Sequence, residues 1–137
     1  MKKILFILAI TISSLSFAQG NLQFNQVKFI EYTTATAAYS TTTAGVITVP
    51  AGKVWKVEHA NVYMVATYPR TQYGGWSLFI DNTLIYRSKG ASNSIHLIDA
   101  FPLWLPAGTY NIVVGQETAG SQTVNSSINA IEFNIVP

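Results

Sequence analysis

The chain of 137 residues contains no cysteine. This absence excludes a disulfide framework, thiolate chemistry and a lipidated cysteine that could anchor an exported chain. The fold must therefore be held by burial and hydrogen bonding, which a chain of this length can supply but a tiny cross-linked module cannot. Charged residues are also scarce, at 10% of the sequence. Low charge combined with abundant Thr, Asn and Gln favours a surface made for contact.

A secretory signal peptide is the clearest segment of the sequence. Lys2 and Lys3 precede an apolar run over residues 4–12, and small residues lead to Ser16-Phe17-Ala18. This pattern predicts cleavage after Ala18, so residues 1–18 are removed and residues 19–137 form one exported domain, secreted or periplasmic. The apolar run is shorter than the roughly 20 residues that span a bilayer, and no later run predicts a membrane span either.

Removal of the signal peptide changes the charge of the protein. Two of the eight basic residues lie in it, which leaves six basic residues against six acidic ones and a net charge of zero. A neutral chain with scattered charges lacks the basic surface that nucleic acid or anionic lipid requires. We therefore expect no nucleic-acid partner.

The remaining sequence predicts an all-β domain. No window shows helical periodicity with caps, whereas Thr, Val, Ile and aromatic residues dominate and turn signals recur about every ten residues. Predicted strands cover 22–32, 45–49, 53–66, 75–81, 84–88, 94–98, 101–105, 109–115 and 127–136. Eight to ten short strands predict a two-sheet antiparallel β-sandwich of jelly-roll type. An immunoglobulin-like sandwich is the alternative, although its Cys…Trp…Cys pattern is absent.

Two strands have distinctive side-chain patterns. Residues 127–136 alternate, with Ile131, Phe133 and Ile135 set against Glu132 and Asn134, as in a strand with one buried side and one side in water. In residues 53–66, Trp55 and Val57 have one parity, whereas Ala60, Val62 and Met64 have the other. A period of two cannot change sides without an extra residue, so we predict a bulge, bend or sheet crossing between Glu58 and Asn61.

The connections are predicted from turn residues. VPAGKVWKV (49–57) and LPAGTYNIV (105–113) share a Pro-Ala-Gly stretch, which indicates two corners of one sandwich with proline second and glycine fourth in the turn. Asp81 and Asn82 are predicted to form a hairpin turn, and Asn125-Ser126-Ser127 a polar turn. Residues 33–44 carry no charge and have strong β character. They form either a strand that pairs with a neighbouring chain or an ordinary edge strand or loop.

Several short stretches carry a resemblance to known proteins. The precursor motif SFAQ, the VPAGKVWKV turn and strand, and the terminal INAIEFNIV resemble small single-domain β-sandwich proteins exported by Gram-negative bacteria. LPAGTY is similar to a turn in jelly-roll domains of the C1q/TNF-like kind and in phage fibre heads. The resemblance implies a fold, together with trimer formation or glycan binding, and it transfers no catalytic residue.

Catalytic and metal-binding patterns are weak. Gly74-Gly75-Trp76-Ser77 does not form the G-x-S-x-G motif of hydrolases. His59 and His96 stand outside any zinc-binding spacing, and no acidic pair is marked out by the sequence. Calcium at Asp81, Asn82 or Asp99 is an alternative that lacks a dense Asp/Asn loop. We therefore expect no metal and no cofactor.

The segment 66–76, ATYPRTQYGGW, is the candidate ligand-binding loop. Aromatic side chains with a polar group suit half-wet surfaces, and planar polar side chains bind sugar hydroxyls. The candidate residues are Tyr68, Arg70, Gln72, Tyr73 and Trp76. The alternative is that Trp76 is the first core residue of its strand and the tyrosines pack the end of the sandwich.

Two classes of function follow from these observations. The first is a non-catalytic binding or structural module that binds a glycan or a surface protein, or associates with itself as a homo-oligomer. The second is a small secreted hydrolase or lyase that acts on polysaccharide and uses His59 or a pair of carboxylates. The second class requires a deep polar cleft near His59.

Overall fold

The computed structural model describes residues 21–64, 75–88 and 101–136, and these fold into eight β-strands without a helix. The predicted signal peptide, the predicted strand 94–98 and most of the segment 66–76 lie outside the described residues. The strands are β1 (Asn21–Thr36), β2 (Thr41–Val49), β3 (Lys53–Met64), β4 (Trp76–Ile80), β5 (Thr83–Ser88), β6 (Leu103–Leu105), β7 (Gly108–Gln116) and β8 (Gln122–Val136).

The eight strands form two four-stranded antiparallel sheets, which confirms the predicted sandwich. The first sheet has the order β1-β8-β3-β6 and the second has the order β2-β7-β4-β5. The pairs β1/β8, β2/β7, β3/β6 and β4/β5 are those of one long hairpin folded over on itself. This is the strand order of a jelly roll, in which two Greek keys share one core.

The core lies between the two sheets and is made of inward side chains from both. Antiparallel pairing places directly opposed residues on the same side, so buried residues meet across strands. Leu78 opposes Val114, Ile80 opposes Ile112 and Ala60 opposes Ile128. The predicted hairpin turn at Asp81 and Asn82 is confirmed, since it joins the paired strands β4 and β5 and Asp81 has a positive φ of 51°. The Asp81 carboxylate also accepts a hydrogen bond from the Asn111 amide at 2.8 Å.

A bulge in β3 confirms the predicted change of side. The register with β8 shifts between Val57 and His59, so Glu58 is the inserted residue. Trp55 and Val57 before the bulge, and Ala60 and Val62 after it, all reach the core. A single extra residue thus keeps a strand of inconsistent parity buried along its length.

The two Pro-Ala-Gly stretches form neighbouring corners that join the two sheets. The Lys53 amide donates to the Pro50 carbonyl at 3.1 Å, and Gly52 has a φ of 72°. Proline is therefore first and glycine third in this turn, not second and fourth, because the positive φ falls on the third residue. At the second corner, Gly108 already belongs to β7 and pairs with Val49.

Residues 33–44 are divided between two strands and a turn. Residues 33–36 finish β1 and pair with β8, whereas residues 41–44 begin β2, where 41–43 pair with β7 and Ala44 is inserted at a bulge. Within one chain the segment is therefore paired along one edge, as an ordinary edge strand is. Because β1 and β2 are both the outermost strands of their sheets, pairing with a neighbouring chain stays a prediction. The predicted polar turn at Asn125-Ser126-Ser127 is wrong, because these residues lie inside β8 and pair with both β1 and β3.

Candidate functional site

The first sheet reverses the usual arrangement of polar and apolar side chains in β8. The alternation predicted for this strand is present, but Glu132 faces the core and is only 2% exposed. Ile131, Phe133 and Ile135 lie on the opposite, outer side, with Ile135 exposed to solvent. The apolar set of β8 therefore forms part of the outer surface of the sheet.

A bulge in β1 supplies two hydrogen-bond donors to Glu132. The register with β8 shifts between Phe24 and Gln26, which makes Asn25 the inserted residue. Asn25 Nδ2 and Gln26 Nε2 both donate to Glu132 Oε1, at 2.5 and 2.8 Å. Two consecutive side chains can reach the same carboxylate because the bulge interrupts the alternation of β1.

The other carboxylate oxygen is held by the indole of the neighbouring strand. Trp55 Nε1 donates to Glu132 Oε2 at 2.7 Å. Lys28 and Lys53 are close, with Nζ 3.9 Å and 3.6 Å from the carboxylate, and Lys28 Nζ lies 5.7 Å from the centre of the Trp55 ring. The buried charge is thus paired and hydrogen-bonded, as a charge removed from water must be.

These partners keep Glu132 ionised. Burial alone raises the pKa of its carboxyl, but the hydrogen bonds from Gln26, Trp55 and Asn25 outweigh that effect. Together with the positive charge of Lys28, they lower the pKa to about 2. A carboxylate that holds its charge this firmly is suited to fixing three strands together and not to proton transfer.

The outer side of the first sheet carries a continuous patch of apolar side chains, which we call the outer apolar face. Direct pairing joins Leu22 to Ile135, Phe24 to Phe133 and Val27 to Ile131. On β1, Phe24, Val27 and Phe29 are 63%, 68% and 66% exposed. The face comprises Leu22, Phe24, Val27, Phe29, Val54, Trp104, Ile131, Phe133 and Ile135. Contiguous apolar surface of this kind marks interaction sites on soluble proteins.

The charge within the outer apolar face is neutralised locally. Lys56 Nζ lies 5.9 Å from the centre of the Trp104 ring and 2.7 Å from Glu58 Oε1. Trp104 in turn packs against Phe133, with ring centres 5.8 Å apart. The face therefore presents little net charge to whatever covers it.

Further along the same side of the sheet the surface becomes polar. Tyr63 donates its hydroxyl to Glu31, and Asn125 donates to the Tyr63 hydroxyl at 3.2 Å. Ser127 Oγ donates to Asn61 Oδ1 at 2.5 Å. These polar side chains form hydrogen bonds with one another. The outer side of the first sheet therefore has an apolar half and a polar half whose side chains are hydrogen-bonded among themselves.

The described residues considered for catalysis are an exposed histidine and carboxylates that already have partners. His59 is exposed on the outer side of β3, opposite Asn129, with its ring centre 6.4 Å from that of Phe101. Of the acidic residues in the described segments, Glu31, Glu58, Asp81, Glu117 and Glu132 each have a hydrogen-bond or ion-pair partner. His96 and Asp99 lie outside the described residues, and the described ones contain no cluster able to hold a metal ion.

The structure describes one of the five candidate residues of the predicted ligand-binding loop. Trp76 is 7% exposed and belongs to the core, where it opposes Ser88 and Gln116. This position agrees with the alternative interpretation, in which Trp76 is the first core residue of its strand. Tyr68, Arg70, Gln72 and Tyr73 lie outside the described residues, and glycan binding by this loop stays a prediction.

Sequence reasoning missed the outer apolar face. Its signal is present in residues 22–32, where Phe24 has one parity and Val27 and Phe29 have the other, as around a bulge.

Within the described parts of the chain, no helix is long and apolar enough to cross a membrane. No protein-family model, curated protein or solved structure matches the chain.

Proposed function

We propose that the protein is an exported, non-catalytic structural and binding module that associates with a second copy of itself through the outer apolar face. The observation that carries the proposal is the exposure of Phe24, Val27 and Phe29 on an edge strand, beside the apolar residues of β8. An antiparallel sheet with one side in water normally carries polar residues on that side.

The dimensions of the face suit an interface between two copies. Eight residues of β1, from Leu22 to Phe29, extend about 25 Å, and the four strands together are about 15–20 Å wide. The apolar half is therefore on the order of 500 Å² in projection, while a stable interface buries about 800 Å² per partner. The adjoining polar half, with Glu31 and Tyr63, supplies the additional area as a rim around an apolar centre.

Charge also favours a second copy. The sequence after Ala18 has equal numbers of basic and acidic residues, so two copies do not repel each other through net charge. The cation in the face, Lys56, is already paired with Glu58. A strongly charged partner would find no opposite charge on this face, whereas a second, equally neutral copy needs none.

The test is the mass of the mature chain in solution, measured by light scattering or sedimentation over a range of concentrations. We expect at least a dimer for the unchanged chain and a monomer for Phe29→Glu and Val27→Glu. Val46→Glu is the matched control, because Val46 is 51% exposed on a strand of the second sheet. A monomeric unchanged chain, or a Phe29→Glu variant of unchanged mass, would contradict the proposal.

The Glu132 cluster supports a non-catalytic role for this part of the molecule. Its carboxylate is buried, fully engaged and held well below the pKa range of a general acid. Exposure of His59 and the partners of the other described carboxylates point the same way. An assay of the mature chain against soluble polysaccharides tests this point, and release of reducing ends that His59→Ala abolishes would favour the hydrolase alternative.

A further inference from the structure

The second sheet carries a depression on its outer side, which we call the outer groove. Two adjoining hollows of about 510 and 400 Å³ share Thr41 and Phe79 in their walls. The first hollow ends at Tyr39 and Glu117, and the second ends at Asp81 and Asn82. Because the groove follows about six residues of β7, it is roughly 20 Å long. Both hollows are wide open to solvent, so the groove is a surface depression in which a ligand would lie along the sheet.

Gly115 forms the floor of the groove, and neither backbone conformation nor packing requires a glycine there. Its φ is not positive. A Cβ at this position would meet Ser77 Cβ at 3.4 Å and Phe79 and Thr41 carbons at 3.5 Å, which are ordinary contacts. Glycine inside a strand weakens the strand and often marks a close approach of a ligand or another backbone. Gly115 is itself buried, so the floor of the groove is its backbone, with the Phe79 ring and the Thr41 side chain beside it.

The walls combine aromatic rings with hydroxyl groups. Tyr39 is 73% exposed at one end, and the half-buried Phe79 lies where the two hollows meet. Thr41, Thr43 and Ser77 supply hydroxyls that can donate and accept, whereas the Ser40 hydroxyl donates to the Ala37 carbonyl at 2.7 Å and can only accept from a ligand. An aromatic ring packs against the apolar face of a sugar ring, while hydroxyls and carboxylates bind its hydroxyl groups.

The charges at the groove favour a neutral ligand. Carboxylates stand at both ends, at Glu117 and Asp81. Arg87, on the neighbouring strand, is bound to Glu117 with 2.5 Å between Nη2 and Oε1. An anionic ligand would meet two carboxylates and an already neutralised arginine, so phosphates and uronic acids are disfavoured.

The Tyr39 end of the groove is fixed before any ligand binds. The Tyr39 amide donates to the Thr118 carbonyl at 3.2 Å, and the Gln116 amide donates to the Ser40 carbonyl at 2.8 Å. Gln116 Nε2 also donates to the Thr118 hydroxyl at 2.9 Å and the Gly120 carbonyl at 2.5 Å. A site held in place by such bonds loses little conformational freedom on binding.

We propose that the outer groove binds an extended, neutral oligosaccharide across Gly115, with Phe79 and Tyr39 as its ring-stacking side chains. This site lies on the opposite side of the sandwich from the outer apolar face and consists of described residues outside the segment 65–74. It does not depend on self-association.

Calorimetric titration of the mature chain with neutral hexasaccharides tests the proposal, using cellohexaose, xylohexaose, maltohexaose and chitohexaose, with hexagalacturonate as the anionic comparison. We expect at least one neutral probe to bind and hexagalacturonate not to bind. Gly115→Val, which fills the floor, and Phe79→Ala should each weaken binding about tenfold or more. Tyr39→Asn should also weaken it, because asparagine retains the left-handed turn at φ 51° but removes the ring.

Thr48→Ala is the matched control, since Thr48 is exposed on β2 outside the groove and should leave binding unchanged. Thermal unfolding of each variant separates lost binding from lost folding, and Phe79→Ala and Tyr39→Asn decide the matter if Gly115→Val fails to fold. Binding by Phe29→Glu at full affinity would show that the groove acts independently of assembly. The proposal is overturned if no neutral probe binds, if hexagalacturonate binds best, or if the groove variants bind as the unchanged chain does.

Discussion

The two sheets of the sandwich differ in which side, inner or outer, carries the polar residues. In the second sheet the inner side is apolar, with Leu78 and Val114, and the outer side carries hydroxyls such as Thr41. In the first sheet, around Glu132, the inner side is charged and the outer side is apolar. The polar outer side of the second sheet is suited to contact with water. The apolar outer side of the first sheet has the composition of a surface that is covered by another molecule.

This difference shows what a side-chain alternation specifies. Alternation establishes that residues of unlike character face opposite sides of a sheet, but it does not establish which side is the core. The side of β8 that faces the core is determined by Asn25, Gln26 and Trp55, because their hydrogen bonds offset the cost of burying the Glu132 carboxylate. An inward carboxylate then leaves the apolar residues of the strand on the outside.

Loss of the Glu132 carboxylate should have the largest effect on stability. Glu132→Ala removes the shared acceptor of Trp55, Asn25 and Gln26 and leaves Lys28 and Lys53 without their buried counter-charge. Breaking a buried pair from one side costs about 3–5 kcal/mol, and we expect the lower end because both lysines are partly exposed. Urea unfolding monitored by Trp fluorescence measures the loss. Glu31→Gln, on the exposed outer side of the same sheet, is the control and should cost less than about 1 kcal/mol.

The same cluster should make stability depend on acid. Because the pKa of Glu132 is about 2 in the folded chain and 4.5 is its ordinary value, the folded state binds its proton less readily than the unfolded state. The stabilisation is complete above about pH 4.5 and is lost as the pH falls towards 2. Unfolding free energies measured from pH 7 to pH 2.5 should decline less steeply for Glu132→Gln than for the unchanged chain. Equal slopes would mean that Glu132 does not carry the effect.

Where the two sheets meet at β1 and β2, a single glycine permits close packing. The Tyr32 hydroxyl donates to the Val46 carbonyl at 2.8 Å, and a Cβ on Gly45 would overlap the Tyr32 ring. Gly45→Ala should therefore cost about 1–3 kcal/mol, as overpacking does. Gly115→Ala is the control, because its Cβ meets only ordinary contacts, and should change stability by no more than about 0.5 kcal/mol. Adding Tyr32→Ala should recover part of the loss in Gly45→Ala, and additive effects would exclude the clash.

Much of the fold could be predicted from local sequence patterns. Turn residues and β-branched runs predicted the sandwich, and the change of parity after Val57 located the bulge at the edge of its predicted interval, at Glu58. The candidate sites could not be predicted in this way. Glu132 and Asn25 are 107 residues apart, and the outer groove joins Tyr39, Phe79 and Gly115 from three strands or turns. Such sites depend on strand register, which one strand's own pattern does not specify.

The smallest effect should come from the outer apolar face, and it tests whether that face stabilises the single chain at all. Val27→Thr exchanges a methyl group for a hydroxyl at a position 68% exposed, so the hydroxyl stays in water and unfolding at high dilution should change by less than about 0.5 kcal/mol. Val57→Thr makes the same exchange on the inner side of β3, where the residue is fully buried, and should cost about 1–3 kcal/mol because the hydroxyl loses water. At higher protein concentration Val27→Thr should lower the apparent stability, since a self-associated chain unfolds less readily and this variant associates less. Equal costs for the two variants at high dilution would mean that the outer apolar face is packed within one chain and is not free for a second copy.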